Sequence, residues 1–229
     1  GTVLLPEMSR RITGGDHAGA MASQLRAFQF SLLFSVPFVG AFLTVPDIIM
    51  RAMFARGAFS AADAAAAGAT LAAYTIGLIP VVTIRSAVAT FYARKDTATP
   101  VKASLTGLAV NLVLKVALMG SLAQVGLALA TAVGSWVNLL LVLGLALRAG
   151  YLTFDRRFGV SLLKFLVAGG VLAVVFWLTV RLAGGYLAQL SAFRDETMLL
   201  VLMIVGIVVY GVTVLALFGR SGLRALIRA

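Results

Sequence analysis

Six apolar runs, each about the length that crosses a bilayer, follow one another along the chain at roughly 24–45, 65–88, 101–122, 126–147, 162–183 and 198–218. A hydrocarbon core about 30 Å thick takes about 20 helical residues to cross. Lipid offers the backbone no hydrogen-bond partner, so helices are the only open-chain elements that can make the crossing. The expected fold class is therefore all-α: a polytopic membrane helix bundle of six transmembrane helices. The apolar start of the chain, halted by Pro6, reads as the cytoplasmic tail of a preceding span over 2–8. It has no initiator Met and no basic region of a signal peptide, so the chain is expected to be the C-terminal piece of a longer protein.

Composition agrees, with 61% hydrophobic and 12% charged residues, against about 25% charged in soluble domains. The net charge of +11 would suit nucleic acid if it formed a patch, but the basic residues stand at the ends of apolar runs, where membrane orientation places them. No nucleic-acid partner is expected. Arg10, Arg11, Arg26, Arg94, Lys95, Lys102, Arg148, Arg156, Arg157, Lys164, Arg220, Arg224 and Arg228 fall on one side of the alternating runs, and only Arg51, Arg56, Arg181 and Arg194 on the other. The excess puts the first side in the cytoplasm. With no Cys and a single His, His17, which sits beside Asp16 in a polar loop, thiol catalysis, disulfides and clustered His/Cys metal sites are excluded. No G-x-x-x-x-G-K-[ST] loop occurs, so ATP hydrolysis is not expected; neither are catalytic residues, a metal or a cofactor, and the chain reads as no enzyme.

Between the first two runs, Asp47 and Arg51 at i, i+4 spacing suggest an interfacial amphipathic helix with Ile48, Ile49, Met53 and Phe54 toward lipid. Pro37 and Pro80 should kink their spans. Small residues, among them Gly68, Gly169, Gly170, Gly206 and Gly211, are expected to let helices approach closely. Trp136 and Trp177 fall inside spans and are expected to pack there. Gln29, Ser35, Thr83, Ser86, Asn111 and Asn138 are expected to bond between helices.

Two cations lie within spans, Arg85 and Lys115, and all eight acids lie in loops or at span ends. An ionisable group at that depth marks a functional site by default. The alternative for both is snorkelling: Arg85 is about 13 Å of helix rise from Arg94, and Lys115 about 10 Å from Leu122.

The string Phe91-Tyr92-Ala93-Arg94-Lys95-Asp96-Thr97-Ala98-Thr99-Pro100-Val101 resembles the FYA-x-x-DT-x-TPV signature of the MurJ (MviN) family of lipid II flippases. Phe54-Ala55-Arg56-Gly57-Ala58-Phe59 resembles that family's F-x-RG-x-F loop, and Gly126 to Thr131 with Asn138 its twelfth span. The resemblance runs in order over nearly the whole chain. It implies a fourteen-span parent of two six-helix lobes plus two extra helices, of which this chain holds the ninth to fourteenth. Residues 1–16 are then the end of a truncated span and a cytoplasmic loop, 17–150 four helices of the C-terminal lobe, and 151–229 the two additional helices. The implied function is to move undecaprenyl-diphosphate-linked peptidoglycan precursor across the bacterial cytoplasmic membrane by alternating access, in concert with the missing N-terminal lobe and membrane lipids. A related polysaccharide-lipid or multidrug exporter, and a non-transporting membrane scaffold, are the alternatives.

The resemblance also implies residue roles. Members place a basic residue where Arg85 stands, and often a second where this chain has Ala89, so Arg85 is the candidate for the substrate diphosphate. Some members hold sodium with an acid on the seventh span, an Asn and an Asp four apart on the eleventh, and a Thr and a backbone carbonyl on the twelfth. Asn111, Lys115, Leu127 and Thr131 stand at the matching positions, with a lysine replacing the Asp, so a tethered ammonium is expected in place of the ion. The family's two extra helices form a groove for the lipid tail, and the uncharged stretches 171–180 and 199–209 suit it.

Overall fold

The computed structural model describes residues 4–187 and 193–227; Thr2, from the expected tail of a preceding span, and Arg228, from the basic set, lie outside them. Eight helices make up the described residues, with no strand among them: α1 (Leu4–Thr13), α2 (His17–Thr44), α3 (Pro46–Phe54), α4 (Ala61–Thr75), α5 (Leu78–Tyr92), α6 (Ala98–Arg148), α7 (Arg156–Leu187) and α8 (Arg194–Ile227). The chain is a multi-pass membrane protein, with five helical segments long and apolar enough to cross a bilayer, α4 and α5 acting as one of them. α6 has 51 residues, about 77 Å if straight, far more than one crossing needs. It doubles back instead. Ala123 leaves the helical region at φ 46 and ψ −128, and the two arms pack antiparallel with Gly107 against Asn138, Asn111 against Gly134, and Leu118 against Gly126. The five segments thus make six crossings, and the reversal falls between the third and fourth expected spans.

Local chemistry sets the helix ends. Asp16 caps α2 by accepting from the Gly19 N–H at 2.8 Å, Ser60 and Asp63 form a reciprocal capping box on α4, and Asp155 accepts from Phe158 N–H at 2.8 Å at the start of α7. Pro46 opens α3 where its missing N–H costs nothing.

α2 stands centrally, between α5 on one side and α7 on the other, with α8 against α7. One core joins α2, α5 and both arms of α6 through Phe28, Phe91, Ala103, Leu139 and Val142. A second joins the end of α2 to α3, α7 and α8 through Val45, Ile48, Ile49, Leu172, Phe176 and Leu202. The ends of the bundle sort as the charge pattern expects. Arg94 stacks over Tyr151 at 4.2 Å and Gln29 donates to Ser161 at 3.0 Å at one end; Arg51 pairs with Asp195 at 3.2 Å and Arg56 with Glu196 at 3.4 Å at the other.

Several local expectations need correction. α3 forms, but Ile48 and Ile49 are each 8% exposed and packed on α7 and α8, leaving Met53 and Phe54 as its open apolar side chains. Arg51 turns to Asp195, not to Asp47, because Asp47 abuts Gly68 of α4. Pro80 is the third residue of α5, so the chain breaks before it, at Ile76–Gly77, and no helix is kinked at its middle. Pro37 does lie inside a continuous α2. Gly169 and Gly206 are close-approach positions, against Val36 and Phe176, whereas Gly170 and Gly211 face open space. Trp177 is 49% exposed, with the Arg181 guanidinium 4.4 Å over its ring, and is not a packing residue.

Candidate functional site

The α4–α5 break carries a consequence of proline chemistry. In a continuous helix the N–H of residue 80 would bond the carbonyl of Ile76, and Pro80 has no N–H to give. The Trp136 indole N–H, from the second arm of α6, donates to that carbonyl at 2.8 Å. One turn away, a Cβ on Gly77 would stand 2.8 Å from Ala132 Cα, so the break is seated directly on α6. The sequence signal was a proline four residues after a carbonyl that then needed a donor.

From this break α5 carries Arg85 toward the basic end. Arg85 is exposed and has no ion partner among the described residues. The opposite face of α5 is closed: Thr83, Ser86, Ala87 and Thr90 are buried, and Gln24 Nε2 donates to the carbonyls of Ser86 at 3.0 Å and Ala87 at 3.3 Å. Ala89 is 4% exposed, so a second cation there would sit between helices. Arg85 thus points out of the bundle with a free planar fork, a geometry that can give two parallel hydrogen bonds to phosphate.

The four residues likened to an ion site converge on the α6 seam. Pairing of 107 with 138, 111 with 134 and 118 with 126 brings Lys115 level with residues 129–130, next to Thr131 in the chain. Asn111 packs on Gly134, and its Oδ1 is buried without a partner. Thr131 Oγ1 donates to Leu127 O at 2.9 Å, joining those two groups to each other. Lys115 is half-buried and forms no ion pair among the described residues. Asn138 Oδ1 and Ser35 Oγ are also buried without a partner, and Thr83 bonds Ile79 O of its own helix; of the polar groups expected to bond between helices through their side chains, Gln29 does so.

An apolar furrow of about 590 Å³ runs between α2, α7 and α8, lined by Leu33, Pro37, Leu172, Phe176, Leu202 and Ile207 among others. α2 supplies one wall, which the apolar stretches of the last two helices alone did not reveal. A wider cleft of about 810 Å³ lies at the basic end of the same helices, lined by Arg26, Arg156, Arg157 and Lys164. In the sequence these four counted only toward orientation.

Near that end, α1 is held to α2 by Glu7, which accepts from Ser23 at 2.8 Å and from Arg11 at 3.0 Å. The Ser23 hydroxyl, with Arg11, holds the Glu7 carboxyl below the usual range.

Comparison with known proteins places this arrangement. A family model described as "Lipid II flippase MurJ" matches residues 1–195. The probable lipid II flippase MurJ of Rhizobium meliloti (strain 1021) is 34% identical over 78% of this chain and 34% of its own length. That of Haemophilus influenzae is 29% identical over 96% of the chain and 44% of its own length. A solved structure, "Lipid II flippase MurJ, inward closed conformation", superposes with a TM-score of 0.73 at 22% identity, covering 99% of this chain and 43% of the other. The chain therefore spans between about a third and under half the length of these relatives.

Proposed function

The chain belongs to the lipid II flippase MurJ family, and on that premise we propose that it is the C-terminal part of a transporter, not an enzyme, that moves undecaprenyl-diphosphate-linked peptidoglycan precursor across the bacterial cytoplasmic membrane. The match over residues 1–195 carries this reading; the apolar furrow and the unpaired arginine support it. A long-chain lipid diphosphate needs an apolar path for its tail and a cationic station for its head. The furrow between α2, α7 and α8 offers the first, and Arg85, facing out of the bundle, offers part of the second. The rest of that station belongs to the N-terminal lobe, with which residues 17–150 alternate access while residues 151–229 hold the tail. At the α6 seam, Lys115 takes the place of a cation beside Asn111, Leu127 and Thr131.

The test uses the full-length protein. Arg85→Ala should impair lipid transport at equal expression by tenfold or more, and Arg85→Lys by less, as measured by rescue of growth in a depleted strain and by flipping in proteoliposomes. Parental transport by Arg85→Ala would make Arg85 a snorkelling anchor.

A further inference from the structure

The cleft at the basic end is built unlike a bundle surface that merely meets headgroups. Arg26, Arg156, Arg157 and Lys164 line one cavity of about 810 Å³, and among the described residues Asp155 is the only acid that lines it. Asp155 is already committed, accepting from Phe158 N–H at the start of α7. Glu7 is linked to Arg26 through the Ser23 hydroxyl, to which Arg26 Nη2 donates at 3.0 Å, and its charge also acts on Arg26, leaving Arg156, Arg157 and Lys164 without an ion pair among the described residues. Arg26 Nε remains buried with no partner, a guanidinium donor held out of water and unused. Such a donor is costly to leave unmade, and a shift of the Arg26 side chain toward an acceptor in the cleft would relieve it. The first turn of the 32-residue α7 borders the same cavity, its start already capped by the Asp155 carboxylate.

The cleft and the apolar furrow follow one another along α2. Leu25 and Gln29 line the cleft, and Leu33, Pro37, Ala41 and Val45 line the furrow. These six are one i, i+4 ridge of α2, which winds slowly around the helix as such rows do. At the junction, Phe165 and Phe218 have ring centroids 4.9 Å apart, and Lys164 Nζ stands 4.9 Å over the Phe218 ring. Phe165 is fully buried, so this aromatic pair is packed core that divides the cationic cleft from the apolar furrow, and a chain passing from one to the other runs over its outer edge.

We infer that this cleft is a docking site for the head of a lipid diphosphate whose chain lies along the α2–α7–α8 furrow, a station separate from Arg85 and occupied before transport. The inference rests on the lipid-transport reading above. Charge selects the head: four cations against one capped acid exceed what a single phosphodiester neutralises and match a diphosphate, to which each arginine fork can give two parallel hydrogen bonds.

The experiment uses the full-length protein in nanodiscs of phosphatidylcholine, with undecaprenyl diphosphate as the probe and native mass spectrometry to count bound lipid. The Arg156→Gln/Arg157→Gln double variant should bind at least tenfold more weakly, and Arg156→Lys/Arg157→Lys should recover most of that loss. Arg148→Gln, at the same end but outside the cleft, should bind like the parent. Undecaprenol, which lacks phosphate, should bind at least tenfold more weakly than the diphosphate. Unchanged binding by the double Gln variant would overturn the proposal. So would equal competition by phosphatidylglycerol, which would make the cleft a general contact for anionic lipid. Arg85→Ala separates the two readings, since it should lose transport and keep this binding. Binding at the cleft by a parent protein that moves no lipid would sink the transport reading alone, and transport by a parent whose cleft variants bind normally would sink the docking site alone.

Discussion

The α6 hairpin and the α2–α7–α8 group are both apolar helix packings, yet one is a closed seam and the other an open furrow. In the hairpin, glycines face backbone: a Cβ on Gly134 would stand 2.7 Å from Gly107 O and equally close to Asn111 Cβ. In the furrow the glycines meet side chains and not backbone alone, Gly169 facing Val36 and Gly206 facing Phe176, and with Leu172 and Leu202 at the crossings about 590 Å³ stays unfilled. Since lipid is as apolar as leucine, hydrophobicity cannot decide which helices close and which stay apart; side-chain size at the crossing does. The seam closes backbone on backbone, and the α2–α7–α8 group leaves an apolar space open.

The strongest way to break this contrast is to fill the seam. Gly134→Leu should cost about 3 kcal/mol or more by overpacking, seen as a large fall in melting temperature or loss of monodisperse protein by fluorescence-detected size exclusion. Gly170→Leu on α7, where nothing lies within 4 Å, should stay within about 0.5 kcal/mol of the parent. Equal tolerance at both positions would remove the distinction. A smaller effect separates the two tryptophans. Trp136→Phe orphans the Ile76 carbonyl and should cost about 1–3 kcal/mol, while Trp177→Phe, which loses only an exposed contact with Arg181, should cost less than about 1 kcal/mol.

The smallest expected effect is none. If Lys115 occupies a cation's place in the seam, sodium has no seat there. An ammonium and a sodium ion about 4 Å apart repel by about 4 kcal/mol at an effective dielectric of 20. The melting temperature of the full-length protein should be the same in sodium as in a larger inert cation at equal ionic strength. A sodium-specific rise would reduce Lys115 to an interface-seeking side chain.

The spans were legible because desolvation of the backbone acts over about 20 residues and leaves a long, redundant signal. Even the reversal at Ala123 fell in the gap between two apolar runs. The charge split was legible for the same reason, and the structure gathers Arg51 and Arg56 at one end and Arg94, Arg156 and Lys164 at the other. Contacts between distant segments were not. Ile48 and Ile49 looked lipid-facing because their cover, Leu172, Phe176, Met198 and Leu202, arrives from more than a hundred residues away. The i, i+4 rule offered Asp47 to Arg51, but a partner brought by tertiary packing won. For Arg85, Asn111, Lys115, Leu127 and Thr131, spacing placed each on its helix, whereas which of them share a seam depended on how α6 folds back. Arg26 and Arg156 are far apart in the chain, and nothing local announces that they border one cavity.

The Arg51–Asp195 and Arg56–Glu196 pairs also bear on how the protein is made. Their members are 144 and 140 residues apart, so at a synthesis rate of about 5–20 residues per second the arginines precede their acids by roughly 7–29 s. Throughout that interval α3 has α4 beside it but no α8 to lean on, and both guanidiniums stand without their acids. Assembly of this membrane protein is therefore expected to end on a late clasping step, in which α8 brings both acids and closes the core around α3. A nascent chain halted before residue 195 lacks both acids and the part of the cover of Ile48 and Ile49 that Met198 and Leu202 bring.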